Sequence, residues 1–219
     1  MIPMKQLLLI CAVVALVGCG KKEARKPLSK EESAKVIEAA IREELDKPTG
    51  ELTKADLEKV TSLYLDDNQL TSVKGLEKLT KLRNLSLKGN KLTSVKELEK
   101  LTQLTELDLS GHKLTSVKGL EKFTQLGFLI LRDNELTDVK GLEKLTQLWE
   151  LDLTNNQLTS VKELEKLTQL TGLILSLNQL TDVKGLEKLT KLIYLSLSNN
   201  QLTDVKGLEK LTQLKTLNL

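Results

Sequence analysis

The sequence predicts an α/β solenoid, a right-handed arc of stacked turns with a parallel sheet on its concave side and a helical N-terminal cap. A unit of 22 residues recurs seven times over 63–216, and three further residues, 217–219, begin a partial eighth copy. In each unit, as in "ELDL" (150–153), Leu alternates with other residues, which is the period of a strand with one buried face. One unit cannot bury its apolar face alone, so successive units stack with parallel strands about 4.8 Å apart.

The start of the chain indicates an export signal rather than part of the solenoid. An apolar run, "LLLICAVVALV" (7–17), follows Lys5 and is too short to span a bilayer as a helix. The adjoining "LVGC" (16–19) resembles the lipobox of bacterial lipoproteins, in which the signal is cleaved before a Cys that then carries lipid. The resemblance implies lipid attachment at Cys19. A plain secretory signal or a buried N-terminal helix are the alternatives.

The same resemblance predicts a location in the bacterial cell envelope. A Cys carrying two or more acyl chains is a firm membrane anchor. Gly20, rather than an acidic residue, follows the Cys and favours the outer membrane in a cell that has one. Removal of the signal would leave Cys19 as the only Cys, so no disulfide is expected. The basic stretch "GKKEARKPLSK" (20–30) is interpreted as a tether, either solvated or attracted to anionic headgroups.

Two helices are predicted before the repeats. Ser29 and Glu32 have the spacing of a capping box, and the breaker segment "DKPTG" (46–50) ends the first helix. Thr53 and Asp56 have the same spacing and start a second, shorter helix. One face of the first helix is apolar, through residues that recur every four positions: Ile37, Ile41 and Leu45.

The repeat pattern resembles a known family. The aligned unit is L-x-L-x-x-N-x-L-T-x-V-K-x-L-E-K-L-T-x-L-x-x, and "LWELDLTNNQL" (148–158) matches the leucine-rich-repeat pattern L-x-x-L-x-L-x-x-N-x-L. It is similar to the 22-residue class of internalin-like bacterial surface proteins, whose helical cap resembles "LTKADLEKVTSLYL" (52–65). The predicted parts of the chain are a lipoprotein signal peptide over 1–18, a basic tether over 19–30, a helical cap over 31–62 and leucine-rich repeats over 63–219.

Neither catalysis nor nucleic-acid binding is indicated. Lys and Arg number 33 against 30 Asp and Glu, so the charge balance does not favour a nucleic-acid partner. His112, the single His, occupies a column that is otherwise Asn, where a side chain that bonds to the backbone of the turn is expected. No second His and no Gly-rich phosphate loop accompany it, so we expect no enzyme activity and no cofactor.

The seven copies vary in a patterned way. Two columns, one of Lys (from Lys74 to Lys206) and one of Glu (from Glu77 to Glu209), are constant and expected on the convex side. The residues on either side of the first strand Leu differ between copies and share the face opposite the core. One interpretation is that the concave columns diversified to fit a partner. The alternative is that ion pairs or helix capping constrain the convex columns, while residues on the concave face vary because nothing constrains them.

A binding site is therefore predicted on the concave face. Phe128 and Ile130 form an apolar row between two acidic rows, which suits a chain that carries basic groups around an apolar one. Trp149 is expected at the edge of this patch. The predicted partner-binding residues are Tyr64, Glu106, Asp108, Phe128, Ile130, Trp149, Glu150, Asp152, Ile174 and Tyr194.

The sequence thus predicts a lipid-anchored envelope protein that binds a protein or peptide on its concave face. Two alternatives are an envelope spacer without a ligand and a cytosolic regulatory subunit of the same repeat class. End-to-end self-association is a further expectation, because apolar residues near the last copy are expected to form an open edge: Leu211, Leu214, Leu217 and Leu219.

Overall fold

The computed structural model describes residues 26–219 and confirms the leucine-rich-repeat arc. Within these residues, two helices precede eight three-residue strands that form one parallel sheet in chain order. The helices are α1 (Lys30–Glu44) and α2 (Lys54–Leu57). The strands are β1 (Ser62–Tyr64), β2 (Asn84–Ser86), β3 (Glu106–Asp108), β4 (Phe128–Ile130), β5 (Glu150–Asp152), β6 (Gly172–Ile174), β7 (Tyr194–Ser196) and β8 (Thr216–Asn218).

Two predicted features at the N-terminus lie outside the described residues: the signal peptide over 1–18 and the lipid attachment at Cys19. Among the described residues, no helix has the length and apolar character needed to cross a bilayer.

Both helices start at the predicted capping boxes. Ser29 Oγ accepts a hydrogen bond from the Glu32 N–H (3.2 Å), and the Glu32 carboxylate accepts one from the Ser29 N–H (2.7 Å). Thr53 and Asp56 make the same reciprocal pair at α2. These bonds satisfy amide groups that the first turn of a helix leaves unpaired.

The chain contacts the repeats earlier than the predicted end of the tether. The Leu28 N–H donates to the Gln69 carbonyl (3.0 Å), and the Leu28 carbonyl accepts from Thr71 Oγ1 (2.7 Å). Leu28 also packs against the edge of the core. The last residues of the segment assigned to a tether therefore pair with the first repeat.

Strand alternation places the core on one side of the sheet and the variable columns on the other. The middle residue of β1 to β7 is a buried Leu, such as Leu129 in β4. Adjacent strands pair in a register offset of one repeat, so Phe128 is aligned with Glu150, and Ile130 with Asp152. The interior is almost entirely Leu and Val.

The connection opposite each strand contains a single 3-10 turn. Five copies have a Gly before this turn, and its φ of about +100°, such as 105° at Gly141, is readily accessible only to Gly. In the two copies with Glu97 or Glu163 at this position, the turn begins two residues earlier, at Lys96 or Lys162.

The constant Glu column has a local structural reason. Glu143 Oε2 accepts a hydrogen bond from the Gly141 N–H (2.6 Å), and backbone N–H donors hold the pKa of the Glu143 carboxyl below its usual value. The same bond occurs in every other copy that has the Gly: at Glu77, Glu121, Glu187 and Glu209. Capping therefore explains the constancy of most of this column. Nothing in the described structure explains the constant Lys side chains, which are exposed.

The side chains of the Asn column bond to the backbone of the turns, as predicted, and they form a ladder along the solenoid. Asn156 Oδ1 accepts from the Leu136 N–H (3.0 Å), and its Nδ2 donates to the carbonyls of Leu131 (3.0 Å) and Leu153 (3.1 Å). Each amide thus joins its own turn to the preceding one and satisfies backbone groups that would otherwise be buried unpaired. Equivalent bonds occur at Asn90, Asn134, Asn178 and Asn200.

Candidate partner-binding surface on the concave sheet

The predicted apolar row and its acidic neighbours lie side by side on the concave face. Phe128 and Ile130 are half-buried on either side of the core residue Leu129. In register with them are the carboxylates of the two adjacent strands: Glu106 and Asp108 of β3, and Glu150 and Asp152 of β5. The structure therefore places the three rows of β3, β4 and β5 next to one another, as strand alternation predicts.

The indole of Trp149, the residue before β5, lies against the β4 row because Gly127 leaves space for it. A Cβ placed on Gly127 would stand 2.6 Å from Trp149 Nε1 and 2.9 Å from its Cδ1. The indole packs beside the Phe128 ring, with centroids 5.6 Å apart and planes inclined by 43°. Even so, 47% of Trp149 remains exposed. The two rings form one continuous aromatic surface.

The indole forms one wall of an open cleft of about 520 Å³. We call it the Trp149 cleft, and its lining is Thr105, Glu106, Gln125, Gly127, Gln147 and Trp149. Sequence reasoning missed Gly127, Gln125 and Gln147. The sequence did hold a signal for this contact: Gly127, directly before Phe128, occupies the position equivalent to Trp149 in the next copy.

The four predicted carboxylates have different surroundings. Asp152 Oδ1 accepts from the Thr154 N–H (2.9 Å) and Oγ1 (2.6 Å), and Asp108 is held in the same way by Ser110. These two side chains are fixed by their own turns. Glu106 is exposed and makes no side-chain hydrogen bond or ion pair within residues 26–219, so it is available to a ligand.

Glu150 points away from the aromatic pair. Its carboxyl group occupies the space above Gly172 of β6, where any Cβ would clash with it. Burial there raises the pKa of Glu150, and the nearby Asp152 charge raises it further. The acidic row on β5 therefore faces the C-terminal half of the sheet as much as it faces Phe128.

The remaining predicted residues are spread along the face. Ile174 of β6 is half-buried and in register with Asp152. Tyr194 of β7 accepts a hydrogen bond at its hydroxyl from Asn218 Nδ2 (3.3 Å). Tyr64 is 54% exposed on β1, so β2 and β3 separate it from the Phe128 row. The structure places Tyr64 apart from the aromatic pair.

Leu177 is an exposed apolar residue that the sequence analysis did not single out. It follows β6, is 49% exposed and has a φ of 57°. The left-handed region disfavours a side chain such as Leu. The equivalent positions in the other copies carry Asp, Gly or Asn, which tolerate positive φ. A comparison of the copies could therefore have identified Leu177 as an exception.

His112 takes the place of an Asn in the ladder. It is 5% exposed, and its Nδ1 accepts a hydrogen bond from the Leu92 N–H (3.2 Å). Its Nε2 faces the Leu87 carbonyl but makes no hydrogen bond of normal geometry. Burial lowers the pKa of His112 to about 4. This environment fits the predicted structural role, since the imidazole lies in the interior of the turn.

Nothing in this part of the chain resembles a metal centre. The described residues contain no group of three or more His, Cys, Asp or Glu side chains that could hold a metal ion.

Comparisons with known proteins agree with the architecture. A family model described as leucine-rich repeats (2 copies) matches residues 58–98, 80–122, 124–166 and 190–219. No curated protein shows significant similarity to the chain. Among solved structures, internalin C2 from Listeria monocytogenes is similar with 28% identity and a TM-score of 0.71, covering 84% of this chain and 92% of its own. A leucine-rich-repeat protein from Leptospira interrogans is 31% identical with a TM-score of 0.61; the match covers 76% of this chain and 50% of that one.

Proposed function

Because this chain belongs to the leucine-rich-repeat family, we propose that it is a non-catalytic binding protein whose concave face takes a protein or peptide partner. Leucine-rich-repeat proteins commonly bind other proteins. Solenoids of this type offer an extended concave surface, and successive copies can vary there without disturbing the core.

The observation that carries the proposal is the exposed aromatic pair of Trp149 and Phe128. A large aromatic side chain with 47% of its surface in solvent is the kind of anchor that dominates binding energies when a partner covers it. Fixed carboxylates, Asp108 and Asp152, flank Ile130 in the adjoining apolar row and supply a polar rim, which is the usual arrangement around such anchors. A spacer without a ligand has no need of this arrangement.

The proposal includes attachment to the envelope through lipid on Cys19. Its support is the lipobox-like "LVGC" directly after an apolar run. Labelling with a fatty-acid analogue in a bacterial host tests it. We expect label in the natural protein, partition into detergent, and loss of both in Cys19→Ser. An unlabelled, uncleaved N-terminus would favour the cytosolic regulatory subunit.

Partner binding is tested by comparing the two faces of the solenoid. A photo-crosslinking amino acid at position 130 captures whatever covers the concave face, and mass spectrometry identifies it. The affinity of the purified partner is then measured for Phe128→Ala, Trp149→Ala and the convex control Lys140→Ala. We expect at least about a tenfold loss for the first two, as for other interface anchors, and none for the control.

The control is Lys140 rather than Glu143, because Glu143 caps a turn and its replacement would disturb the fold. Equal effects from the convex and concave variants, or no partner captured from position 130, would support the spacer instead.

A further inference from the structure

We propose that the Trp149 cleft receives a positively charged side chain, Arg or Lys, from an extended segment of the partner. This inference rests on the proposed function, since it names the chemistry of the partner at that same surface. The cleft is open to solvent and has an indole and a carboxylate in its lining.

The shape of the cleft follows from Gly127. Since this residue has no side chain, the indole of Trp149 occupies the space beside Gly127 that a Cβ would take. Glu106 of β3 also lines the cleft. Two inter-strand spacings separate β3 from β5, about 10 Å in all. The volume of the cleft, about 520 Å³, leaves room for the end of one long side chain.

The charges near the cleft favour a cation. Glu106 has no partner among the described residues, and Asp108 lies two residues along the same strand. Within the part of the chain that the structure describes, neither carboxylate forms an ion pair with Arg83 or Arg132, which adjoin the neighbouring strands. Arg132, at the other end of β4, pairs with Asp133 (3.3 Å).

The indole of Trp149 also favours a cation over other occupants of the cleft. The face of an indole attracts a cation within about 6 Å of the ring, and a guanidinium group also stacks on it. A purely apolar occupant would cover the Glu106 carboxylate without giving it a hydrogen bond, which is unfavourable. A carboxylate would be repelled. Arg and Lys satisfy both walls at once.

The apolar row fits the neighbours of such a residue. Phe128 and Ile130 are half-buried and lie beside the cleft on β4. An apolar side chain next to the cation would rest on this row. The partner segment is therefore a basic residue flanked by aliphatic ones.

The single Trp of the chain provides the test. The full-length protein is titrated with three acetylated, amidated pentapeptides of sequence Gly-Leu-Xaa-Leu-Gly, in which Xaa is Arg, norleucine or Glu. The indole N–H signal in a ¹H–¹⁵N spectrum reports occupation of the cleft. We expect the Arg peptide to shift this signal saturably and to bind about fivefold more tightly than the norleucine peptide, consistent with one cation–π contact and one charge pair.

Matched variants separate the cleft from general electrostatics. Glu106→Gln should abolish the preference for Arg over norleucine. Glu135→Gln, the same loss of charge at an exposed residue outside the cleft, should leave the preference unchanged. Both variants are exposed-site changes, and unfolding curves matching the natural protein confirm that each is folded.

Each other outcome overturns the inference in a distinct way. If norleucine and Arg peptides bind equally, the cleft is an apolar site, and the proposed concave binding function stands. If Arg binds equally well to Glu106→Gln, the contact is not in this cleft. If no peptide shifts the indole signal, the inference fails, while crosslinking from position 130 still decides the proposed function.

Discussion

The indole of Trp149 rests on Gly127, a residue that lies 22 positions earlier in the chain and one strand away in the sheet. The two are neighbours because consecutive copies stack in register. The backbone N–H of Trp149 donates a hydrogen bond to the Gly127 carbonyl (2.9 Å). The Gly removes the side chain that would otherwise fill the row. This relationship creates the aromatic pair and opens the cleft beside it.

Gly127→Ala should displace the indole with little loss of stability. The new Cβ would stand 2.6 Å from Trp149 Nε1, but an exposed side chain can move aside, so we expect a change below about 1 kcal/mol in the free energy of unfolding. The emission spectrum of the single Trp should shift, and partner affinity should fall. An unchanged spectrum would contradict the placement of the indole.

Gly185→Ala should destabilise the fold more than Gly75→Ala. Both residues have a positive φ, 96° and 111°, so both variants carry backbone strain of about 1–2 kcal/mol. Only at Gly185 would the Cβ also meet backbone, 2.8 Å from the Lys162 carbonyl oxygen, whereas Gly75 has open space. Urea unfolding measures the difference. Equal losses would show that the turn of residues 162–166 moves away at no cost.

His112→Asn should remove a pH dependence of stability. The folded-state pKa of about 4 lies below the usual 6.5, so the fold prefers the neutral imidazole. The contribution of this preference to the free energy of unfolding is fully present above about pH 6.5. It is lost as the pH falls toward 4, a change of about 3 kcal/mol. Below pH 4 this residue contributes no further change.

The difference in unfolding free energy between the two proteins isolates this effect, because His112 is the only His of the chain. The variant should also gain stability at neutral pH, since an Asn amide can donate to the Leu87 carbonyl as its equivalents in the ladder do. A difference that stays constant between pH 4 and 6.5 would contradict the burial of the imidazole.

Leu177→Asn should stabilise the protein by about 1 kcal/mol. The φ of 57° suits Asn, as it does Asn155 and Asn199 in the same column, and disfavours Leu. About half of Leu177 (49%) is already exposed, so its replacement removes little packing. Thermal unfolding measures the gain. A loss of stability would show that Leu177 makes a contact that its exposure does not suggest.

The repeat made much of the fold predictable from sequence. The 22-residue period, the alternation of Leu and the two capping boxes all depend on residues close in the chain, and they correctly predicted the strands, the buried face and the helix starts. The Asn ladder was predictable for the same reason. A constant offset between copies places equal columns side by side, so the concave columns could also be identified without coordinates.

The direction of individual side chains was decided by the tertiary structure. Trp149 lies over Gly127, and Glu150 turns toward Gly172, because in each case an adjacent strand presents a residue without a side chain. Glu143 turns inward because a Gly with positive φ directs its N–H at the carboxylate. The period specifies which columns are neighbours, whereas the direction of each side chain depends on the space and the hydrogen-bond donors that a different copy supplies.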